Sequence, residues 1–174
     1  DFSLRLSKAS SGSNLQELAK FSLDENKLNR LYKKVKLLKK DLVNLEPLTP
    51  IKVGLISNST SKLITPALIA SALRFGIILD VVEAEYNQVA QEAFSEQSTF
   101  NDHQLNTVLV SLDYRGLPLF PTPGDKVSAE KNVRDCFSYI SSIIDSLRSK
   151  TRAQIIFQNI ATNVEKLSGS YEER

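Results

Sequence analysis

Ile51-Lys52-Val53-Gly54-Leu55-Ile56-Ser57-Asn58-Ser59-Thr60 is an apolar run that passes without a break into four small polar residues. A continuous apolar run of this length, bounded by a turn signal, reads as a strand covered on both faces of a parallel sheet. In an open α/β sheet the loop after the first strand lies at the carboxyl edge, where ligands and catalytic groups collect. A hydroxyl-rich turn placed there is a candidate site. Ser57 to Thr65 contains no glycine, whereas a loop that wraps a pyrophosphate needs glycine for close backbone approach. The turn is therefore a small-ligand pocket or a serine nucleophile, weighed against a plain helix cap.

Upstream of this strand, Leu28, Leu31, Tyr32, Val35, Leu38, Leu42 and Leu45 recur at helical spacing, and Pro47 and Pro50 end that helix. Ser22 and Glu25 form a capping-box pair for it, and Ser13 with Gln16 a weaker one for a short helix to about Phe21. Residues 1–13 read as a loose leader. Downstream, the pattern predicts a helix over Lys62–Phe75 with Pro66 in its first turn and Gly76 as its left-handed cap. A fully covered second strand follows over Ile77–Val82, then a short helix over Asn87–Phe94 and a polar loop. The third strand is Thr107–Leu112. Beyond a proline-rich loop, Ser128 would cap a helix whose apolar face carries Val133, Cys136, Phe137, Ile140, Ile143, Ile144 and Leu147. A fourth strand is expected over Ala153–Ile160.

Strands alternating with helices predict an α/β fold: a three-layer, doubly wound parallel sheet of the SGNH or flavodoxin kind with an N-terminal helical extension. The expected organisation is a helical extension over 1–48, an incomplete α/β domain over 49–164 and a polar tail over 165–174.

The 174 residues are 41% hydrophobic and 24% charged with a net charge of +2, ordinary values that imply neither nucleic acid nor membrane as partner. No apolar run reaches the roughly 20 residues that span a bilayer. The single Cys136 excludes an internal disulfide and, without a signal-peptide pattern, points to the cytoplasm. One Cys and one His make no metal cluster. The lack of methionine and the polar close at Ser168–Arg174 suggest a segment of a longer polypeptide. A truncated sheet would also leave its last strand edge open to self-association or a homo-oligomer.

Strand ends supply the candidate site. Ser59 is the candidate nucleophile; Ser57, Asn58, Thr60, Tyr86, Asn87, Asp113 and Asn159 are the candidate substrate-binding residues. A nucleophilic serine needs a base within hydrogen-bond reach, and the only histidine, His103, lies in a polar loop. Asp113 either binds a ligand or makes an Asx turn. The basic helix over 27–40 (Lys27, Arg30, Lys33, Lys34, Lys36, Lys39, Lys40) is an interaction surface for an acidic partner or a solvated face.

Taken together, the helical leader, Ile51–Thr60, the helix with an early proline, Tyr86-Asn87-Gln88 with Gln91-Glu92, and Val108-Leu109-Val110-Ser111-Leu112-Asp113 resemble the N-terminal domain of FkbH-like proteins over residues 15–160. That resemblance implies an SGNH-hydrolase-like domain ahead of a haloacid-dehalogenase-type phosphatase domain. It implies preparation of glyceryl units from a phosphorylated three-carbon donor, with an acyl carrier protein as partner. Magnesium belongs to the phosphatase domain, whose Asp-x-Asp motif is not in this sequence, so this segment needs no cofactor. Ser57-Asn58-Ser59 stands where SGNH hydrolases carry Gly-Asp-Ser, Leu112-Asp113 faintly echoes their Gly-x-Asn-Asp, and Asp-x-x-His has no counterpart. The expectation is an accessory, substrate-positioning domain without a complete triad. The alternatives are an esterase or acyltransferase using Ser59, and an interaction module using the basic helix.

Overall fold

The computed structural model of the chain describes residues 1–100, 104–120, 122 and 124–160. Three helices, α1 (Phe2–Lys8), α2 (Gly12–Ala19) and α3 (Glu25–Lys40), precede β1 (Thr49–Ser57). Then α4 (Thr65–Ala72) leads to β2 (Ile77–Glu83), α5 (Val89–Phe94) to β3 (Thr107–Ser111), and α6 (Lys126–Lys150) to β4 (Gln154–Phe157). The sheet runs β2-β1-β3-β4 with every pairing parallel. The chain steps one way from β1 to β2, crosses back over β1 to β3, and continues to β4. Right-handed crossovers then place α4 on one face and α5 and α6 on the other, giving three layers.

Each face has its own core. Leu15, Leu18, Leu31, Val35 and Leu38 of the N-terminal helices meet Ile69, Leu73 and Ile78 on one side. Ile56, Val108, Val110, Ile143 and Leu147 fill the other. The N-terminal helices thus complete one layer of the sandwich, because α4 alone leaves that face uncovered.

Residues 1–13, expected as a leader, instead contain α1. Asp1 caps it through the Ser3 amide at 2.8 Å, and Phe2 and Leu6 are buried. A seven-residue helix is marginal by itself and has too few turns to show a period. Packing makes it, with Phe2 set edge-on to Phe21 at 5.8 Å between centroids.

Three caps fall elsewhere than the pattern suggests. Ser11, not Ser13, caps α2; Asp24, not Ser22, caps α3; and Asp125, not Ser128, caps α6. In the last two a carboxylate is available, and an ionised acceptor holds an amide more strongly than a hydroxyl does. The apolar stripe of α3 also ends sooner than expected, at Leu38. Leu42 lies past the helix at φ 54° and is 91% exposed.

The turn from α4 follows the expected chemistry. Pro66 lies in the first turn, short 3₁₀ turns flank the helix, and Gly76 takes the left-handed φ of 73° that ends it. By contrast β2, expected to be covered on both faces, is an edge strand in which Ile78 alone is fully buried. Lys39 of α3 donates to the free Leu79 carbonyl at 3.0 Å and lies 3.6 Å from Asp80. It supplies the partner that a missing strand would have supplied.

On α6, Cys136, Ile143 and Leu147 are buried, but Val133 and Phe137 are 65% and 74% exposed. The 25-residue helix is about 37 Å long, whereas the four residues of β4 span about 13 Å, so its amino-terminal half outruns the sheet. β4 is also shorter than the expected Ala153–Ile160. His103, Pro121, Pro123 and the tail from 161 onward lie outside the described residues.

Candidate functional site

Parallel strands bring their carboxyl ends to one edge, and the reversal of strand order falls between β1 and β3. That switch point is where an open α/β sheet opens a crevice. Here Asn58, which follows β1, spans the gap. Its amide nitrogen donates to Asp113 Oδ1 at 2.5 Å, and its carbonyl oxygen accepts from the Asp113 amide at 3.0 Å. Asp113 Oδ1 also accepts from the Arg115 amide at 2.9 Å, the Asx turn considered from sequence. The Asn58 hydrogen bond, helped by that amide and the Arg115 charge, holds the Asp113 carboxyl below its ordinary value against the opposing effect of burial. Gly116 packs on this pair: a Cβ there would lie 2.9 Å from Asn58 Cγ. Asn58 is thus bonded through both its amide atoms to Asp113, which answers with Oδ1 and its own backbone amide.

Beside this pin, between the ends of β1 and β2, lies a cavity of about 290 Å³ lined by Ser57, Ser59, Thr60, Ser61, Lys62, Glu83, Ala84, Glu85 and Tyr86. Its hydroxyls are partly engaged. Buried Ser57 Oγ accepts from the Ser59 amide at 3.0 Å, and Ser57 Oγ and Ser59 Oγ lie 3.0 Å apart. Ser61 Oγ donates to Glu83 Oε2 at 2.8 Å. Thr60 carries no cap bond to the following turn, so the helix-cap reading does not describe it.

The candidate residues thus divide into three sets. Ser57, Ser59, Thr60 and Tyr86 share the cavity; Asn58 and Asp113 pin β1 to β3; and Asn87 and Asn159 are exposed at the same edge outside the cavity lining. Asn87 takes φ 57° in the turn before α5, a conformation that Asn tolerates better than most residues. Sequence reading missed Ser61, Lys62, Glu83 and Glu85 in the cavity. It also missed Ser111 and Gln158, whose side chains bond at 2.6 Å across the ends of β3 and β4. Glu83 and Ser111 are the last residues of their strands, so the rule that singled out Ser57 would have found them.

The chain's one histidine, His103, lies outside the described residues, and among the described residues no group of three or more metal-binding side chains occurs. Cys136 is buried on α6, and burial, with the neighbouring Asp135 charge, pushes its thiol up. On the basic helix, Lys27 reaches Asp24, Arg30 bonds Ser3 and lies over the Phe2 ring, and Lys34 bonds the Ser7 carbonyl. Lys36 lies over Tyr32 and Lys39 holds β2, which leaves Lys33 and Lys40 without such a contact among the described residues. Most of these cations anchor the helical layer.

No protein-family model matches the chain, and no curated protein is significantly similar to it in sequence. Among solved structures it is similar to the crystal structure of the N-terminal part of the protein BF1531 from Bacteroides fragilis, which contains a phosphatase domain complexed with magnesium. The two share 16% identity at a TM-score of 0.58, over 94% of this chain and 37% of that one. The likeness is one of fold: a parallel α/β sheet flanked by helices. This chain spans little more than a third of the length of that solved chain.

Proposed function

We propose that this chain is a non-catalytic, ligand-positioning domain of the SGNH-like type, belonging to a phosphatase or glyceryl-transfer protein of the FkbH-like kind. In this reading a magnesium-dependent phosphatase domain lies downstream, an acyl carrier protein is the partner, and the cytoplasm is the compartment. The observation that carries it is the make-up of the carboxyl-edge cavity. Hydroxyls collect there as in a binding site, yet among the described residues the side-chain partner of Ser59 Oγ is another serine and not a base. A serine without a general base remains a weak nucleophile. The fold likeness to a protein that carries a phosphatase domain supports the same assignment.

A fluorophosphonate probe separates this reading from the esterase or acyltransferase alternative. The expected outcome is no covalent labelling of the folded chain, alone or supplied in trans to a phosphatase domain. Stoichiometric labelling that disappears in Ser59→Ala would establish the esterase and end the proposal.

A further inference from the structure

We propose that the cavity between β1 and β2 recognises the hydroxyl groups of an uncharged vicinal polyol and excludes phosphate. The inference deepens the ligand-positioning reading and rests on it.

The argument is one of open valences. Glu83 gives one carboxylate oxygen to Ser61, and among the described residues its Oε1 and the Glu85 carboxylate have no hydrogen-bond or ion-pair partner. Lys62 lines the same cavity and pairs with neither of them. Open acceptors therefore stand on the β2 side, while Lys62 and the Thr60 hydroxyl offer donors on the β1 side. A phosphate dianion offers acceptors alone. It would meet a single ammonium across a small cavity that also holds two carboxylates, and like charges at that range repel. Neighbouring hydroxyls on adjacent carbons both donate and accept, so one can serve the carboxylates while the next serves Lys62 or Thr60. Tyr86, 68% exposed at the mouth, adds an aromatic wall against which carbon-bound hydrogens of such a ligand can lie. A volume of about 290 Å³ is at the lower limit for ligand pockets, which suits a molecule of a few carbons.

The test titrates the 174-residue chain with erythritol and, separately, with erythritol 4-phosphate, following amide shifts of Ser57–Lys62 and Glu83–Tyr86 by NMR. Erythritol is expected to bind at least about tenfold more tightly than its phosphate, and the Glu83→Gln/Glu85→Gln double variant to erase that preference; a tenfold ratio lies within the discrimination of one charged contact. Gln preserves side-chain shape, and an unchanged dispersion of amide peaks shows that the variant is folded. If the phosphate binds more tightly, with shifts confined to these residues, the polyol assignment falls and the ligand-positioning reading stands. If neither probe moves these amides at any concentration, both fall.

Discussion

Two groups of polar side chains sit at opposite ends of the same sheet, and they differ in what each leaves over. At the amino end, Glu92 is 4% exposed and fully satisfied. Its Oε2 accepts from Ser98 Oγ at 2.7 Å and the Thr99 amide at 2.8 Å, and its Oε1 accepts from Thr99 Oγ1 at 2.5 Å. Lys150, at the end of α6, closes the same corner by donating to the carbonyls of Ala93 and Ser95 at 2.8 and 2.7 Å. At the carboxyl end, Glu85, Lys62 and Thr60 face an open cavity with their bonding capacity unspent. The lesson is that a carboxylate marks structure when it is buried with its acceptors filled by the protein, and a candidate site when it stands half-buried or exposed at a cavity with acceptors left over. Asn58 lies at the functional edge, but its amide oxygen and nitrogen are both bonded to Asp113, and by this criterion it belongs with Glu92.

The largest effect should come from breaking the closed cluster. Glu92→Ala leaves the buried Ser98 hydroxyl without its acceptor and releases the hydroxyl and amide of Thr99, an exposed residue. The expected loss is about 3 kcal/mol, since each orphaned group costs on the order of 1–3 kcal/mol and the loop relaxes in part. For a chain of this size that corresponds to a fall in melting temperature of roughly 6–12 °C. A thermal melt reads it. A drop of less than about 2 °C would show that the cluster does not hold the corner.

Breaking the pin should cost less and should be visible in pH. Asn58→Ala removes two bonds across β1 and β3 and leaves the Asp113 amide and carboxylate to find water, for about 2 kcal/mol. Because the folded Asp113 carboxyl is held below 3.8, its ordinary value, its contribution is fully present above that pH. It is lost as the pH falls through the lower folded value. Urea denaturation should therefore show the largest gap between the parent chain and the variant near neutral pH, narrowing below about pH 4. A gap of constant size down to pH 2 would remove Asp113 from the account.

A finer probe of the same pin is Gly116→Ala. The added methyl would lie 2.9 Å from Asn58 Cγ, nearer than carbon atoms tolerate, so Asn58 must shift or the turn must open. The expected cost is about 1 kcal/mol, and in Asn58→Ala, where Cγ and Nδ2 are gone and only the Cβ at 3.2 Å remains, the second substitution should cost clearly less. Additive losses in the double variant would mean that Gly116 serves the turn itself.

How far these differences could be read beforehand depends on their range along the chain. The strand into Ser57-Asn58-Ser59-Thr60, the early Pro66 and the left-handed Gly76 were legible because each reports a local backbone demand. The Asn58–Asp113 pair was not, since it joins residues 55 apart and depends on the register that sets Ser57 beside Ser111. The same holds for β2. Its apolar sequence fits a central strand as well as an edge strand, and only Lys39 on a distant helix settles how that edge is closed. Both candidate pin residues were named as ligand-binding because sequence shows a polar group at a strand end but not whether another polar group has already taken it.

The smallest expected effect is at the residue that sequence reading ranked first. Ser59→Ala removes one hydroxyl from the cavity and its contact with Ser57 Oγ, but the backbone amide of residue 59 still donates to that oxygen. Buried Ser57 Oγ keeps one of its two hydrogen bonds, and residue 59 is exposed. Stability should stay within about 0.5 kcal/mol of the parent chain, the range of ordinary surface substitutions. The urea midpoint with an unchanged slope measures it. A loss above about 1.5 kcal/mol would place Ser59 with Glu92 and Asn58 among groups whose bonds are spent on the fold, and the open cavity would lose one of its members.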